Sequence, residues 1–365
     1  MAHRPTNHAA RGALTNAASR FAAAHGEDFD DGWDTLDTLA DDDTAPPTRL
    51  HRDPTRRVIS RNESPDVPFA ASINPYKGCA HGCIYCFARP THEYLDHSAG
   101  LDFETELYYK PEAAALFEAE LRHPRYRCEA ITLGANTDPY QPDDRKLAIT
   151  REILEVAHQF NQPISVITKG AHVTRDLDLL GDMAGRGLAS VFVSVTSLDS
   201  DIKRTLEPRA AAPGRRLATI RALAEAGVPT GALIAPVIPM ITDHEIERLV
   251  AAVADAGARR VGHVLLRLPH SIKQLFREWL ETHYPDRAAH VMSLIRQMRG
   301  GADYDATWGT RMTGTGHYAA LIEKRIALAR RRHGLEGQRF ALDTSQFAPP
   351  PATGDQFGFD FGRQV

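Results

Sequence analysis

The sequence predicts an α/β fold built around a parallel sheet. Two observations carry that prediction. Short apolar runs alternate with amphipathic helical stretches about six times, and the runs are continuously apolar, as in strands buried on both faces. Phe69–Asn74 is the first run. Ala130–Gly134 follows and leads into a helical pattern over Ile149–Phe160. Ile164–Thr168 leads into Thr174–Ala184, where Thr174 and Asp178 suit a helix start. Val191–Val195 precedes Arg215–Ala226, a helix ended by Gly227. Gly231–Val237 precedes Asp243–Ala256, and Val261–Leu266 precedes Ile272–His283. Six such units form either an open doubly wound sheet or most of a barrel, and in both architectures ligands bind at the carboxyl ends of the strands.

Both ends of the chain read differently. Residues 1–62 lack periodicity: nine acidic and no basic side chains lie between residues 27 and 43, followed by Pro46-Pro47 and an Arg-rich stretch, Arg49–Arg61. This is the pattern of a disordered arm. A core over 63–290, a helical extension over 291–342 that includes His317–Arg331, and a flexible Pro- and Gly-containing tail over 343–365 complete the expected organisation. The formal net charge of the 365 residues is −4, so outside the acidic run the chain is net positive by five. That balance permits an anionic or nucleic-acid substrate without requiring one. No apolar run is long enough to span a bilayer, and the amino terminus carries no export pattern. With only four cysteines, the expectation is a cytoplasmic protein with reduced thiols.

Three of those four cysteines fall in Cys79-Ala-His-Gly-Cys83-Ile-Tyr-Cys86, just after the first predicted strand. Closely spaced thiolates are soft ligands for one metal or cluster, and three of them leave a coordination position open. A structural zinc site completed by His81 or His92 is the alternative, although no second ligand pair accompanies the loop. His81 suits a supporting role better than ligation, and Cys128 reads as a buried thiol opening a strand.

This spacing, with Tyr85 before the last cysteine, resembles the radical S-adenosylmethionine superfamily. The resemblance spans about residues 68–270 and implies a partial (βα)6 TIM-like barrel. It implies a [4Fe–4S] cluster on Cys79, Cys83 and Cys86, whose fourth iron binds S-adenosylmethionine, and an aromatic Tyr85 near the adenine. Thr132–Tyr140, Val166–Lys169 and Val193–Thr196 then look like the branch containing spore photoproduct lyase. Carried over by position, Thr137, Asp138, Lys169 and Ser194 would contact the cofactor. Hydroxyl and carboxylate groups suit ribose and ammonium, and a lysine suits the methionine carboxylate. Ile73–Cys79, Phe87–His92, Leu101–Thr105, Glu207–Ala210 and Leu266–Pro269 are similar to an uncharacterised bacterial group within this branch. The resemblance also implies an electron donor such as flavodoxin or ferredoxin.

One departure matters. Spore photoproduct lyase carries a hydrogen-donor cysteine just before its Ser/Thr-Asp pair, whereas Ala135 and Asn136 stand here. Repair of a thymine dimer by the same route is therefore not expected. Glu207, Arg209, Arg215 and Arg216 read either as an anionic-substrate site or, slightly better, as a solvated loop and helix start. Arg267 follows a strand and either reaches the cavity or pairs with an acid. Tyr76, Tyr85 and Tyr140 are candidate hydrogen relays, with packing the better role for at least two. Gly314-Thr-Gly316 is too short a signal for phosphate binding. The expected function is reductive cleavage of S-adenosylmethionine to a 5′-deoxyadenosyl radical that takes hydrogen from an unidentified substrate, with nucleic acid as one candidate. The competing classes are a zinc- or cluster-containing nucleic-acid-binding protein and an electron carrier without radical chemistry.

Overall fold

A computed structural model describes residues 11–17, 19–21, 46–337 and 340–351. Ten strands run in chain order: β1 Arg49–Arg52, β2 Ile59–Arg61, β3 Ala71–Ile73, β4 Tyr76–Lys77, β5 Glu106–Tyr109, β6 Ile131–Leu133, β7 Ile164–Thr168, β8 Ala189–Ser194, β9 Thr230–Val237 and β10 Arg260–Leu265. Seven form one sheet in the order β10-β9-β8-β7-β6-β3-β2. Six of these, β3 and β6 to β10, are mutually parallel, and they coincide with the six apolar runs. The register keeps small and branched residues level across the sheet, with Ala71 opposite Ile131, Ile131 opposite Ile164 and Ile164 opposite Ala189. Burial on both faces explains why these strands are continuously apolar.

The crossovers are helical: α1 Ala113–Leu121, α2 Ile149–Gln159, α3 Leu177–Gly185, α4 Ser200–Leu206, α5 Pro213–Glu225, α6 Ile246–Asp255 and α7 Ile272–His283. Helices α8 Pro285–Gln297 and α9 Gly316–Arg332 follow. The main core lies between sheet and helices, with Val166, Val191, Val193, Leu249 and Ile153 fully buried. A second apolar cluster sits above the carboxyl ends of the strands. It joins Ile84 and Tyr85 to Leu266, Leu268, Phe276 and Trp279. The loop after the first parallel strand thus packs on the segment after the last. Strands β10 and β2, at the two edges of the sheet, make no ladder with each other among the described residues.

Three expectations about the ends need correction. Residues 49–61, assigned to the disordered arm, form β1 and β2. Strand β1 pairs in parallel with β5, and β2 antiparallel with β3. Their side chains are mostly exposed and their partners are ionic, Arg49 and His51 meeting Glu106 at 3.2 and 2.6 Å. Edge strands held this way carry no apolar signal. The expected boundary between residues 290 and 291 falls inside α8. In the tail, residues 343–351 lie against the body. The Phe347 ring is 5.3 Å from Tyr126 and 6.4 Å from Phe160, and Ala348 donates its N–H to the Phe160 carbonyl at 3.0 Å. The acidic run and the last fourteen residues lie outside the described residues. Helix α9 packs on α6, where Arg325 meets both oxygens of Glu247 at 2.8 and 2.6 Å. Among the described residues, no helix is long and apolar enough to cross a membrane.

Trp279 anchors the upper cluster. It is fully buried, stacks on Phe276 at 5.5 Å and donates its indole N–H to the Thr205 carbonyl at 3.1 Å. Trp279→Ala is expected to lower unfolding free energy by about 3–5 kcal/mol, read from urea midpoints at constant slope.

Candidate cofactor site at the carboxyl ends of the strands

The cysteine loop begins where Gly78 adopts φ +77°, with a side-chain carbon there falling only 2.7 Å from Leu107. From Cys79 the backbone proceeds by successive tight turns: Gly82 N–H to the Cys79 carbonyl, Cys86 N–H to Cys83, and Arg89 N–H to Cys86, at 3.3, 3.2 and 3.1 Å. Three further amides are tied to distant elements, Cys79 to the Phe103 carbonyl, Ala80 to the Gln141 side chain and Ile84 to the Leu206 carbonyl. Cys79 and Cys83 are buried and Cys86 is half-buried. Burial pushes the Cys83 thiol up to about 12, against a smaller opposing pull from the Lys169 ammonium, and raises Cys79 strongly. Loading these thiols with metal therefore releases their protons.

A closed zinc site takes four protein ligands, whereas a cluster held by three thiolates leaves one iron open. His92 is turned away, its Nε2 on the Glu106 carbonyl at 2.8 Å and its ring stacked with His97. His81, within the loop, faces Asp138 at 3.4 Å.

Two buried ion pairs clamp the loop. Arg89 donates to the carbonyls of Cys83, Ala99 and Gly100 and meets Glu104 at 2.5 Å, both side chains being wholly buried. Glu104 also accepts the amide N–H groups of Gly12 and Ala13 at 2.9 and 2.8 Å. Residues 11–14 are buried here, in a segment expected to be disordered. Gly12 lies so close to the loop that a side-chain carbon would fall 1.8 Å from the Gly82 carbonyl oxygen. Arg11 donates to the Glu104 carbonyl at 3.0 Å, and Thr15 to Glu278 at 2.7 Å. The segment is a strap across the outside of the cysteine loop. Nothing in its sequence signals this, because the strap is held by backbone amides and two polar side chains that reach residues far along the chain.

The second pair is Glu207 with Arg216. Glu207 is 2% exposed and accepts from Arg216, Tyr85 and Thr196, the last at 2.7 Å. Arg216 also donates to the Ser194 carbonyl at 3.0 Å and the Ala211 carbonyl at 2.7 Å. Burial alone would raise the Glu207 pKa, but the Arg216 and Lys169 cations outweigh it and hold the carboxyl at about 2. The solvated-loop reading of Glu207 and Arg216 is therefore wrong, and their charges are already spent on each other. Arg209 reaches Thr48 at 3.3 Å instead, and Arg215 is exposed near the start of α5.

The four strand-end residues converge only in part. Thr137 is buried and donates to the Tyr76 carbonyl at 2.6 Å. Asp138 accepts the Thr168 hydroxyl at 2.6 Å, the Tyr140 N–H at 2.9 Å and the Lys169 N–H at 2.6 Å. Burial would raise its pKa, yet His81 and these donors together hold it at about 2. Asp138 thus stitches the end of β7 to the cysteine loop. The Lys169 ammonium lies 5.7 Å from the Tyr85 ring centroid, and its pKa is raised because Cys83 and Glu207 outweigh burial. Ser194 ends β8, buried beside this group. Tyr76 and Tyr140 are packing residues, donating to Asp144 at 2.5 Å and Asp176 at 2.9 Å. Cys128 is only half-buried and precedes β6 by three residues.

Comparison with known proteins agrees with this arrangement. The Radical SAM superfamily profile matches residues 73–253, which contain the loop and the parallel strands β6 to β9. An uncharacterized protein of Mycobacterium tuberculosis is 38% identical over 233 residues, covering 63% of this chain and 68% of that protein. One of Methanocaldococcus jannaschii is 25% identical over 190 residues, covering 52% and 68%. In fold, the chain is similar to spore photoproduct lyase complexed with dinucleoside spore photoproduct, with a TM-score of 0.54, 17% identity and 78% of each chain covered. The same lyase with bound AdoMet gives the same TM-score. The chain belongs to the radical SAM superfamily, enzymes that use a [4Fe–4S] cluster and S-adenosylmethionine. Its parallel core is that of the spore photoproduct lyase fold.

Two measurements test the clamps. Glu207→Gln leaves the Arg216 charge buried without a counter-charge and is expected to lower stability by about 3–5 kcal/mol in urea denaturation. Gly12→Val forces the strap off Gly82, so Cys79 and Cys83 of the metal-free protein are expected to react with a thiol reagent about tenfold faster or more, their exposure then following local opening. Unchanged thiol kinetics alongside an unchanged fold would show that the strap does not cover the loop.

Proposed function

We propose that Cys79, Cys83 and Cys86 hold the cluster and that the protein is a radical enzyme acting on a C–H bond of its substrate. The observation that carries the reading is the loop itself: three thiols on successive tight turns at the carboxyl end of a parallel sheet, with the Lys169 ammonium beside Cys83. When bound, the cluster supplies one electron to S-adenosylmethionine, which yields methionine and a 5′-deoxyadenosyl radical. The chain's own groups place the cofactor and exclude solvent. Lys169 holds the methionine carboxylate as a point charge, and Tyr85, fixed through its hydroxyl by Glu207, gives the adenine a flat neighbour. Ser194 and Thr137 line the same edge. Asp138, with its oxygens already engaged, acts by fixing His81 and the Lys169 backbone. The buried loop and the strap keep water from the reacting atoms.

The absence of a cysteine at Ala135 or Asn136 supports a reaction distinct from that of the lyase, with the substrate radical quenched by another donor. We place the enzyme in the cytoplasm with flavodoxin or ferredoxin as electron donor, in line with its reduced cysteines. The test is anaerobic reconstitution followed by dithionite and S-adenosylmethionine. The wild-type protein is expected to bind about four irons per chain and release 5′-deoxyadenosine. Cys83→Ala should lose both. Iron without any 5′-deoxyadenosine would make the protein an electron carrier, and 5′-deoxyadenosine from the Cys83 variant would refute the ligand assignment.

A further inference from the structure

We propose, on the basis of the radical-enzyme reading above, that Arg267 and Phe87 form the substrate-recognition edge of the site and that the substrate presents a nucleotide unit. The phosphate would lie on the Arg267 guanidinium and the base against the Phe87 ring.

Placement comes first. Phe87 directly follows Cys86, and Arg267 lies two residues beyond the end of β10, the last parallel strand. The guanidinium carbon is 5.3 Å from the Phe87 ring centroid, so the contact closes the mouth between the first and last strand-end loops. Phe87 is nevertheless 44% exposed, next to a loop whose apolar residues are otherwise buried. An aromatic ring left open there offers a stacking surface at the reactive end of the sheet.

Charge is the second observation. Arg267 reaches only neutral groups, the Met312 sulfur at 3.5 Å and the Tyr304 hydroxyl at 3.3 Å, and its Nε is buried without a partner. No carboxylate among the described residues lies within ion-pair distance of it. Of the nearby acids, Asp66 is held by Arg311 and Asp303 by Arg277 and Arg296, while Asp305 accepts from Thr307 and Thr310 and its charge acts on Arg299. Behind Arg267 stands Arg299, 3% exposed, which spends its N–H groups on the Leu266 and Thr310 carbonyls at 2.8 and 3.0 Å and also has a buried, unpartnered Nε. Burial and the adjacent Arg267 both lower its pKa. Asp305 offsets part of the Arg299 charge, which leaves Arg267 as the guanidinium with no carboxylate at ion-pair distance among the described residues and open to an anion from outside. Phosphate matches the planar fork of arginine and carries more charge than a carboxylate. A ring and a phosphate joined within one small unit describe a nucleotide. The net positive charge of the chain outside its acidic run agrees with such a ligand.

The test is binding to the reconstituted full chain, read by fluorescence anisotropy of a 5′-labelled ten-residue single-stranded DNA, with thymidine monophosphate as competitor. Competition by the mononucleotide at micromolar concentration assigns a free nucleotide, and competition only by unlabelled strand assigns a nucleic acid; both support the proposal. Arg267→Met is expected to weaken binding about tenfold and to reduce the slope of log K against log salt by about 0.7, the signature of one lost phosphate contact on a single strand. Arg267→Lys should restore the slope, which a merely structural defect would not allow. Phe87→Leu should weaken binding without changing the slope. Wild-type protein that forms 5′-deoxyadenosine yet binds neither probe, or an Arg267→Met variant with unchanged affinity and slope, would overturn the assignment while leaving the cofactor reading intact. Failure of the wild type to form 5′-deoxyadenosine would instead remove that reading.

Discussion

Two arginine–carboxylate pairs with almost no access to water hold the cysteine loop from opposite sides. Arg89 and Glu104 grip it from outside the sheet, and Arg216 and Glu207 grip it from the strand ends. The loop has no ladder of its own, so these pairs substitute for regular pairing. A buried pair offers little net stability compared with apolar packing, but removing one partner is costly. The arrangement therefore specifies position. Every other feature of the site is referenced to it: Tyr85 through Glu207, Ser194 through Arg216, and the strap through Glu104.

Asp138 shows how the same logic extends along the sheet. Its carboxylate joins the ends of β6 and β7 to His81 on the loop, so a side chain suited by type to a ligand contact is engaged within the protein. Lys169 differs, because its backbone is fixed by Asp138 while its ammonium faces the thiols and the Tyr85 ring. Fixing the main chain and leaving the charge available is what a preorganised electrostatic contact requires.

The parallel core was legible because burial on both faces writes itself as continuous apolar runs, and Ile164–Thr168 and Ile272–His283 coincide with their elements to the residue. The cysteine loop was legible because its ligand chemistry is local. Strands β1 and β2 were not, since ion pairs to Glu106 and edge pairing replace apolar burial. Helix α1 and the short α4 fell in stretches read only as connections; α4 follows the apolar run Val191–Val195, whose crossover was assigned to Arg215–Ala226 alone. Glu207 with Arg216 was seen as a group of charges but misread, because sequence shows charges without showing whether they face each other. The strap was invisible for a similar reason. Gly12 carries no side chain, and its role is a backbone approach to Gly82.

That approach has a consequence for the order in which the chain completes itself. Residues 11–15 come earlier in the chain than the partners that seat them, Glu104 and Glu278. The strap is thus translated before the residues that hold it. The contacts of Gly12 and Ala13 with Glu104 need only the first third of the chain, whereas the Thr15 contact waits for Glu278 and α7, so the covering of the cysteine loop is completed only when distant parts of the chain have met.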